Sequence, residues 1–336
     1  MLKTVKSLIL FAKVFIKIFA QCIQQFIHYL ISLKPILNRH LSYEDGTILK
    51  SDVKRIRYFS LLVPVLIGDS FSTLLSQNLT KQNRKILTLA SAITPLFDDY
   101  FEQGNLSITR LENLILFPHN FSPINNKDKL IFSIYLELAP LLIDKAKFFE
   151  MVKNVFLAQK KAQQQKSKIE ISQIELHELT FNKGGLSVLL FNSLIFKKNT
   201  DLLDDIGYQA GGLIQYADDI FDLWFDWKDG IKTLPNNCDT IADLSDDYSN
   251  QIETLITLSN SLGVDSIQKR KFIEVQLFFL SRAFIAINQL TEITKTENGK
   301  FNPDKYSRQQ LVCDMEKFIN IKSWIKEYYR ILNLMR

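Results

Sequence analysis

Glycine and proline are scarce in this chain of 336 residues, at 11 and 8. Tight turns draw heavily on these two residues, so hairpin-rich folds and glycine-loop nucleotide folds are disfavoured and long helices favoured. Cysteine is scarcer still. Cys22, Cys238 and Cys313 are far apart and odd in number, with no CxxC or Cys/His spacing. That leaves no zinc module and fits a reduced, cytosolic setting. The four histidines, His28, His40, His119 and His177, are scattered. They support neither a histidine metal site nor a Ser-His-Asp triad. The net charge of +5 comes with no dense basic run, so nucleic acid is not an expected partner. No run alternates apolar and polar residues between hairpin turns, and no repeat or long low-complexity linker divides the chain.

What is abundant is apolar surface. Hydrophobic residues make up 46%, with Phe at 25, enough for a sizeable core and incompatible with global disorder. Helical periodicity runs through nearly the whole sequence. It predicts helices near 4–33, 51–77, 82–103, 109–116, 127–164, 170–182, 185–197, 201–228, 248–262, 266–293 and 306–334. Gly104 is placed to close the third of these, and Thr109-x-x-Glu112 to open the next as a capping box. The Lys/Gln-rich stretch 160–168 reads as a solvated helix face. The expectation is one all-α domain, a single large helical bundle over residues 1–336, with residues 1–34 as an amphipathic N-terminal helix.

Residues 2–33 are strongly apolar, but Lys13 and Lys17 interrupt them, and no uncharged stretch reaches the ~18 residues of a spanning helix. The uncharged run after Lys6 is short for a signal segment, and no small-x-small cleavage site follows. Lys3, Lys6, Lys13, Lys17, Gln21, Gln24 and His28 recur at helical spacing and form one polar stripe. Apolar residues, among them Phe11, Phe15, Ile16, Phe19, Ile23, Phe26 and Leu30, fill the rest. Such a helix either packs on a core or lies against an anionic membrane surface.

The strongest chemical signal is Asp218-Asp219-x-x-Asp222-x-x-x-Asp226. At about 100° per residue, each step of four turns only about 40°, so Asp218, Asp222 and Asp226 form one stripe with Asp219 beside it. Leu213, Ile214, Ala217, Ile220, Phe221, Leu223, Trp224 and Phe225 surround them, which predicts a helix buried almost all round. Unpaired carboxylates in such a setting must protonate or find a cation. With only oxygen ligands on offer the cation is hard, and Mg²⁺ suits a few carboxylates shared with phosphate oxygens. A second group, Asp98-Asp99-x-x-Glu102, follows Leu87, Leu89, Ala90, Ile93 and Leu96 in another apolar helix. Taken alone, either group could be a solvated acidic face.

On these two motifs, their order and their spacing from Asp98 to Asp218, the chain resembles the class I isoprenoid synthases: terpene cyclases, prenyl diphosphate synthases and squalene/phytoene synthases. Gln215-x-x-Asp218-Asp219-x-x-Asp222 is similar to the second motif of chain-elongating prenyl synthases. Asp218, Asp222 and Asp226 take the ligand spacings of the cyclase Asn/Ser/Glu triad. Asp226, Gly230 and Leu234-Pro235 fall where squalene/phytoene synthases carry Asp, Gly-Arg and Tyr-Leu-Pro. The resemblance implies an isoprenoid-synthase-type bundle around a central cavity. Asp98, Asp99, Glu102, Asp218, Asp219, Asp222 and Asp226 would there hold three Mg²⁺ ions that grip a substrate diphosphate. It implies a terpene synthase that ionises a linear isoprenyl diphosphate and cyclises the carbocation. The alternative is a prenyltransferase, head-to-head or chain-elongating.

Diphosphate departure also calls for basic side chains. Lys183, in Thr180-Phe-Asn-Lys183-Gly184-Gly185, is the first candidate, because two glycines in a helical region suggest a break beside the site. Lys232 and Arg330 are further candidates, with Lys228 behind them. Aromatic residues near the motifs are as easily core as cavity lining, so none is assigned a role. The expected setting is cytoplasmic, peripheral at a membrane through residues 2–33, with an isoprenyl diphosphate substrate and a homodimer as partner states. A non-catalytic helical scaffold at a membrane surface is the competing class.

Overall fold

The computed structural model describes residues 2–41, 45–102, 107–167, 170–196, 200–295 and 301–334. Among them the protein is all-α, with no strand. In chain order the helices are α1 (Leu2–His28), α2 (Lys34–Leu41), α3 (Lys50–Val63), α4 (Ser70–Leu74), α5 (Lys81–Glu102), α6 (Ile108–Ile115), α7 (Asn126–Leu138), α8 (Lys145–Ala162), α9 (Gln164–Ser167), α10 (Gln173–Ile195), α11 (Asp201–Phe221), α12 (Leu223–Lys228), α13 (Ile241–Ser261), α14 (Ser266–Leu280), α15 (Ala283–Thr294), α16 (Arg308–Leu311) and α17 (Phe318–Leu334).

Several expected long helices are interrupted, each for a local reason. The 51–77 segment passes into a π-helical turn at Pro64–Asp69, where Pro64 has no N–H for the regular ladder. The 127–164 segment breaks at the 3₁₀ turn Ala139–Leu141, since Pro140 has no N–H to carry the helical ladder onward. The 266–293 segment bends between α14 and α15. There the Trp324 indole N–H donates to the Phe278 carbonyl and the Ser281 hydroxyl, both at 3.0 Å, taking the place of a helical donor. In the C-terminal 306–334 segment only α16 and α17 are helical. Conversely, α13 starts earlier than expected, because Thr240 and Asp243 form a capping box. The cap of α6 is Ser107 rather than Thr109, its side chain accepting from the Arg110 N–H at 3.1 Å. Gly104 lies outside the described residues.

The chain divides into two compact units. One comprises Met1–Ile16, Ala158–Val188 and Thr200–Arg336; the other comprises Lys17–Leu157 and Leu189–Asn199. Neither is one continuous stretch, which is why no linker marks a boundary in the sequence. The first unit is centred on buried aromatics. Tyr248 packs edge-on to Tyr216 at 5.3 Å, and Phe11 packs edge-on to Trp324 at 4.8 Å. The second is an aliphatic core that includes Leu33, Ile56, Leu89, Leu96, Leu130 and Ile134. A buried ion pair, Arg84 to Asp69 at 2.6 Å and 3.1 Å, joins α5 to the π-helical turn.

Candidate diphosphate-metal site

The two acidic groups fall in different units. The Asp218 group is carried by α11 and α12. Thr200 caps the start of α11 by accepting from the Leu203 N–H at 3.2 Å. The helix does not run to 228 as one piece: it ends at Phe221, and Asp222 adopts a non-helical turn before α12 begins. The i,i+4 hydrogen bonds nevertheless continue, Asp222 N–H to the Asp218 carbonyl at 2.8 Å and Asp226 N–H to the Asp222 carbonyl at 2.9 Å. The three carboxylates therefore stay in sequence along one stripe.

Burial all round is not what the structure shows. Leu213, Tyr216, Ile220 and Leu223 are buried, while Asp218, Asp222 and Phe225 are exposed. The helix is apolar toward its own unit and open on the carboxylate side. Asp219, turned toward that interior, is buried and fully engaged. It accepts from the Gln215 amide at 2.7 Å and from the Thr180 hydroxyl at 3.0 Å.

The helix that faces this stripe is α10. It runs without a break through Gly184 and Gly185, contrary to the interruption expected there. The glycines instead serve close packing. A Cβ on Gly184 would collide with the Gly211 carbonyl and lie 2.8 Å from the Gln215 Cβ. Gly212 makes room for the Phe181 ring, and Gly185 for the Tyr208 ring. Residue numbers run in opposite directions along the contact (Gly184 with Gly211, Phe181 with Gly212, Thr180 with Asp219), so the two helices are antiparallel.

This crossing sets Lys183 within electrostatic reach of all four carboxylates, favouring the ionised form of each. Burial acts the other way and prevails. It raises Asp218 above the ordinary carboxylate range, against Lys183. Burial lifts Asp219 to about 6. Burial and the neighbouring Asp218 lift Asp222 to about 6. Burial, with Asp219, Asp222 and Asp218, lifts Asp226 to about 8. Asp218 and Asp222 are thus crowded by protein and still touch water. A ligand group needs both properties if it is to exchange with substrate.

The Asp98 group is differently placed. Asp98 and Asp99 are half-buried near the end of α5, and the Glu102 side chain lies outside the described residues. Both oxygens of Asp99 are already engaged by protein cations, Arg55 at 2.5 Å and Lys127 at 2.7 Å. The same two cations hold Asp52 at 2.9 Å and 3.1 Å. Two carboxylates and two cations make a locally neutral set.

The remaining sequence candidates are scattered. Lys232 clasps Gln165 through its backbone, its N–H reaching the Gln165 carbonyl at 3.0 Å and its own carbonyl accepting the Gln165 amide at 2.8 Å. Arg330 pairs with Glu327 at 2.6 Å and lies over the Phe284 ring at 5.3 Å, so its partners are not the stripe. Lys228 is exposed at the end of α12.

Two arginines that the sequence did not single out do approach this helix. Arg282 sits over Phe221 at 5.5 Å, and Arg308 over Phe225 at 5.6 Å. No spacing links them to the motif, because each arrives from a separate helix junction. A cavity of about 400 Å³ elsewhere in this unit is lined by His177, Tyr216, Cys238, Asp243 and Asp247 among others, and by none of the stripe carboxylates. Asp243 and Asp247 share the i,i+4 spacing that flagged the stripe, but Asp243 caps α13 and Asp247 accepts from Tyr216 at 2.8 Å.

Among the described residues, no three acidic, histidine or cysteine side chains converge as a ready-made metal cage. No family model, curated protein or solved structure matches the chain.

Proposed function

We propose that this chain is a Mg²⁺-dependent class I isoprenoid synthase of the terpene-cyclase kind, which ionises a linear isoprenyl diphosphate and cyclises the carbocation. One observation carries the reading. Asp218, Asp222 and Asp226 stand in a row, all raised by burial and the last two also by neighbouring carboxylates, with Lys183 in electrostatic reach of each. An open row suits Mg²⁺, which keeps several waters and takes one or two carboxylates together with substrate phosphates, better than it suits a closed cage.

Asp218, Asp222 and Asp226 are the residues that would hold the metal. Asp219, with both oxygens engaged by Gln215 and Thr180, is a positioning residue that ties the stripe to α10. Bound Mg²⁺ supplies Lewis-acid neutralisation of the leaving diphosphate. Lys183 shares that task from α10, donating charge toward the departing oxygens. Asp99, with both oxygens held by Arg55 and Lys127, is not among the residues proposed to hold the metal.

The prenyltransferase reading draws on two features. Gln215 of Gln-x-x-Asp-Asp-x-x-Asp donates to Asp219, tying the first residue of the motif to its second aspartate. Gly230, at φ +72°, closes a turn in which Ile231 N–H reaches the Asp226 carbonyl at 2.8 Å, fastening the stripe's end to the Gly230 and Leu234-Pro235 segment.

Incubation with Mg²⁺ and ten-, fifteen- and twenty-carbon isoprenyl diphosphates, with and without the five-carbon co-substrate, separates the readings. A cyclic product from one diphosphate alone supports the cyclase. A longer or head-to-head fused product supports the transferase. No diphosphate release under any combination sinks both.

A further inference from the structure

The first helix, α1 with the π-helical turn Tyr29–Leu33 that continues it, carries two different apolar faces. One is buried: Phe11, Val14, Ile18 and Tyr29 are covered, and the Gln25 amide reaches the Ser60 carbonyl at 3.1 Å and the Thr88 hydroxyl at 2.6 Å. The other faces water. Ten large apolar side chains between Leu8 and Ile31 are exposed by 36% to 70%, among them Ile16, Phe19, Ile23, Phe26 and Ile27. Positions 16, 19, 23, 26, 27 and 30 recur at helical spacing, so they form one continuous strip. Contiguous apolar surface on this scale marks a docking face rather than ordinary surface scatter.

Charge identifies the occupant. From Leu2 to Leu41 the chain carries Lys3, Lys6, Lys13, Lys17, Lys34 and Arg39 and no acidic residue. Lys13 and Lys34 are exposed at the margin of the strip. An apolar face with a purely cationic border fits a surface that offers hydrocarbon beneath anionic groups. A second copy of the chain would bring another cationic border against this one, which disfavours self-association.

The stretch Ser7–Leu41 is also long and apolar enough to cross a bilayer. Spanning would strip the buried face from its core and leave the Gln25 amide without its partners. We propose that α1 lies flat on an anionic bilayer, with the Ile16, Phe19, Ile23, Ile27 face sunk to the acyl boundary and its lysines at the headgroups. This does not depend on the diphosphate chemistry.

The test is co-sedimentation of the full chain with vesicles of phosphatidylcholine, with and without phosphatidylglycerol. Binding is expected to the anionic vesicles, to fall with added salt, and to be weaker by about tenfold or more on neutral ones. Ile16→Glu with Ile23→Glu should lower binding to anionic vesicles by at least about tenfold at an unchanged melting temperature, because both side chains already face water. Lys13→Glu with Lys34→Glu, away from the core, tests the border should the first pair disturb folding. Failure of the full chain to bind anionic vesicles overturns the proposal. So does binding that survives both pairs of substitutions, or a stable dimer that Ile16→Glu with Ile23→Glu dissolves while the full chain ignores vesicles.

Discussion

The backbone of Gly184 in α10 rests against the carbonyl of Gly211 in α11, and neither position has room for a Cβ. The colliding atoms are main chain, so a side chain at either site cannot be relieved by a rotamer change. Gly211→Ala should destabilise the protein by about 1–3 kcal/mol, or more if the helices cannot separate. Chemical denaturation measures this. A change within the error of the measurement would show that the helices are not locked here.

The carboxylate row predicts an unusual dependence of stability on pH. Asp226 is raised from 3.8 to about 8, and Asp219 and Asp222 to about 6. A group with a raised folded value binds its proton more tightly when folded. Its contribution is therefore complete below the unfolded value and disappears as pH rises through the folded one. The metal-free protein should lose melting temperature between about pH 4 and about pH 8, and Asp226→Asn should flatten that slope. Mg²⁺ with inorganic diphosphate should restore stability at the alkaline end, since ligands bound only by the folded state raise its melting point. A profile that is flat without ligand would contradict the shifts.

Lys183 should matter most where the aspartates are ionised. Lys183→Met is expected to lower the melting temperature more at pH 8 than at pH 5, because the attraction it removes exists only toward charged carboxylates. It should also weaken diphosphate binding by about tenfold, in the range of a lost charge-assisted hydrogen bond. Equal losses at both pH values would mean that Lys183 acts through packing alone.

Asp99 and Asp218 make a contrasting pair. Asp99→Ala leaves Arg55 and Lys127 sharing Asp52, and should cost about 1–3 kcal/mol, moderated because Arg55 is open to water. Asp218→Asn or Asp222→Asn should leave stability equal or higher and abolish the Mg²⁺-diphosphate melting shift. If Asp218→Asn keeps that shift, the stripe is not the metal site.

In the second unit, Asp69→Ala should be among the most damaging single changes. It strands the buried Arg84 without its carboxylate, a loss of about 3–5 kcal/mol by denaturant titration. Replacing both, Asp69→Leu with Arg84→Met, should cost less than the single change, since no uncompensated charge remains.

Helicity, the carboxylate stripe and the wide apolar face of the first helix are all legible in the sequence, because each depends on residues three or four apart. That spacing is local geometry, and the backbone repeat converts it directly into a shared face. The breakers Pro64 and Pro140 were visible in the sequence, although the helices expected over 51–77 and 127–164 ran through both. The bend between α14 and α15 was not, because the donor that replaces the helical bond, Trp324, comes from a distant helix.

The roles of charged groups divide along the same line. Spacing alone determined that Asp218, Asp222 and Asp226 share a side. Only the tertiary structure decided that this side is open, that Asp219 turns inward to Thr180, and that Lys183 faces the row. Only the tertiary structure, likewise, neutralised Asp99 with Arg55 and Lys127, 44 and 28 residues away. Charge pairing depends on distance in space, to which separation along the chain is no guide. Gly184 and Gly185 show the same division: the sequence marked a place where the chain could break, and packing used it as the place where two helices come closest.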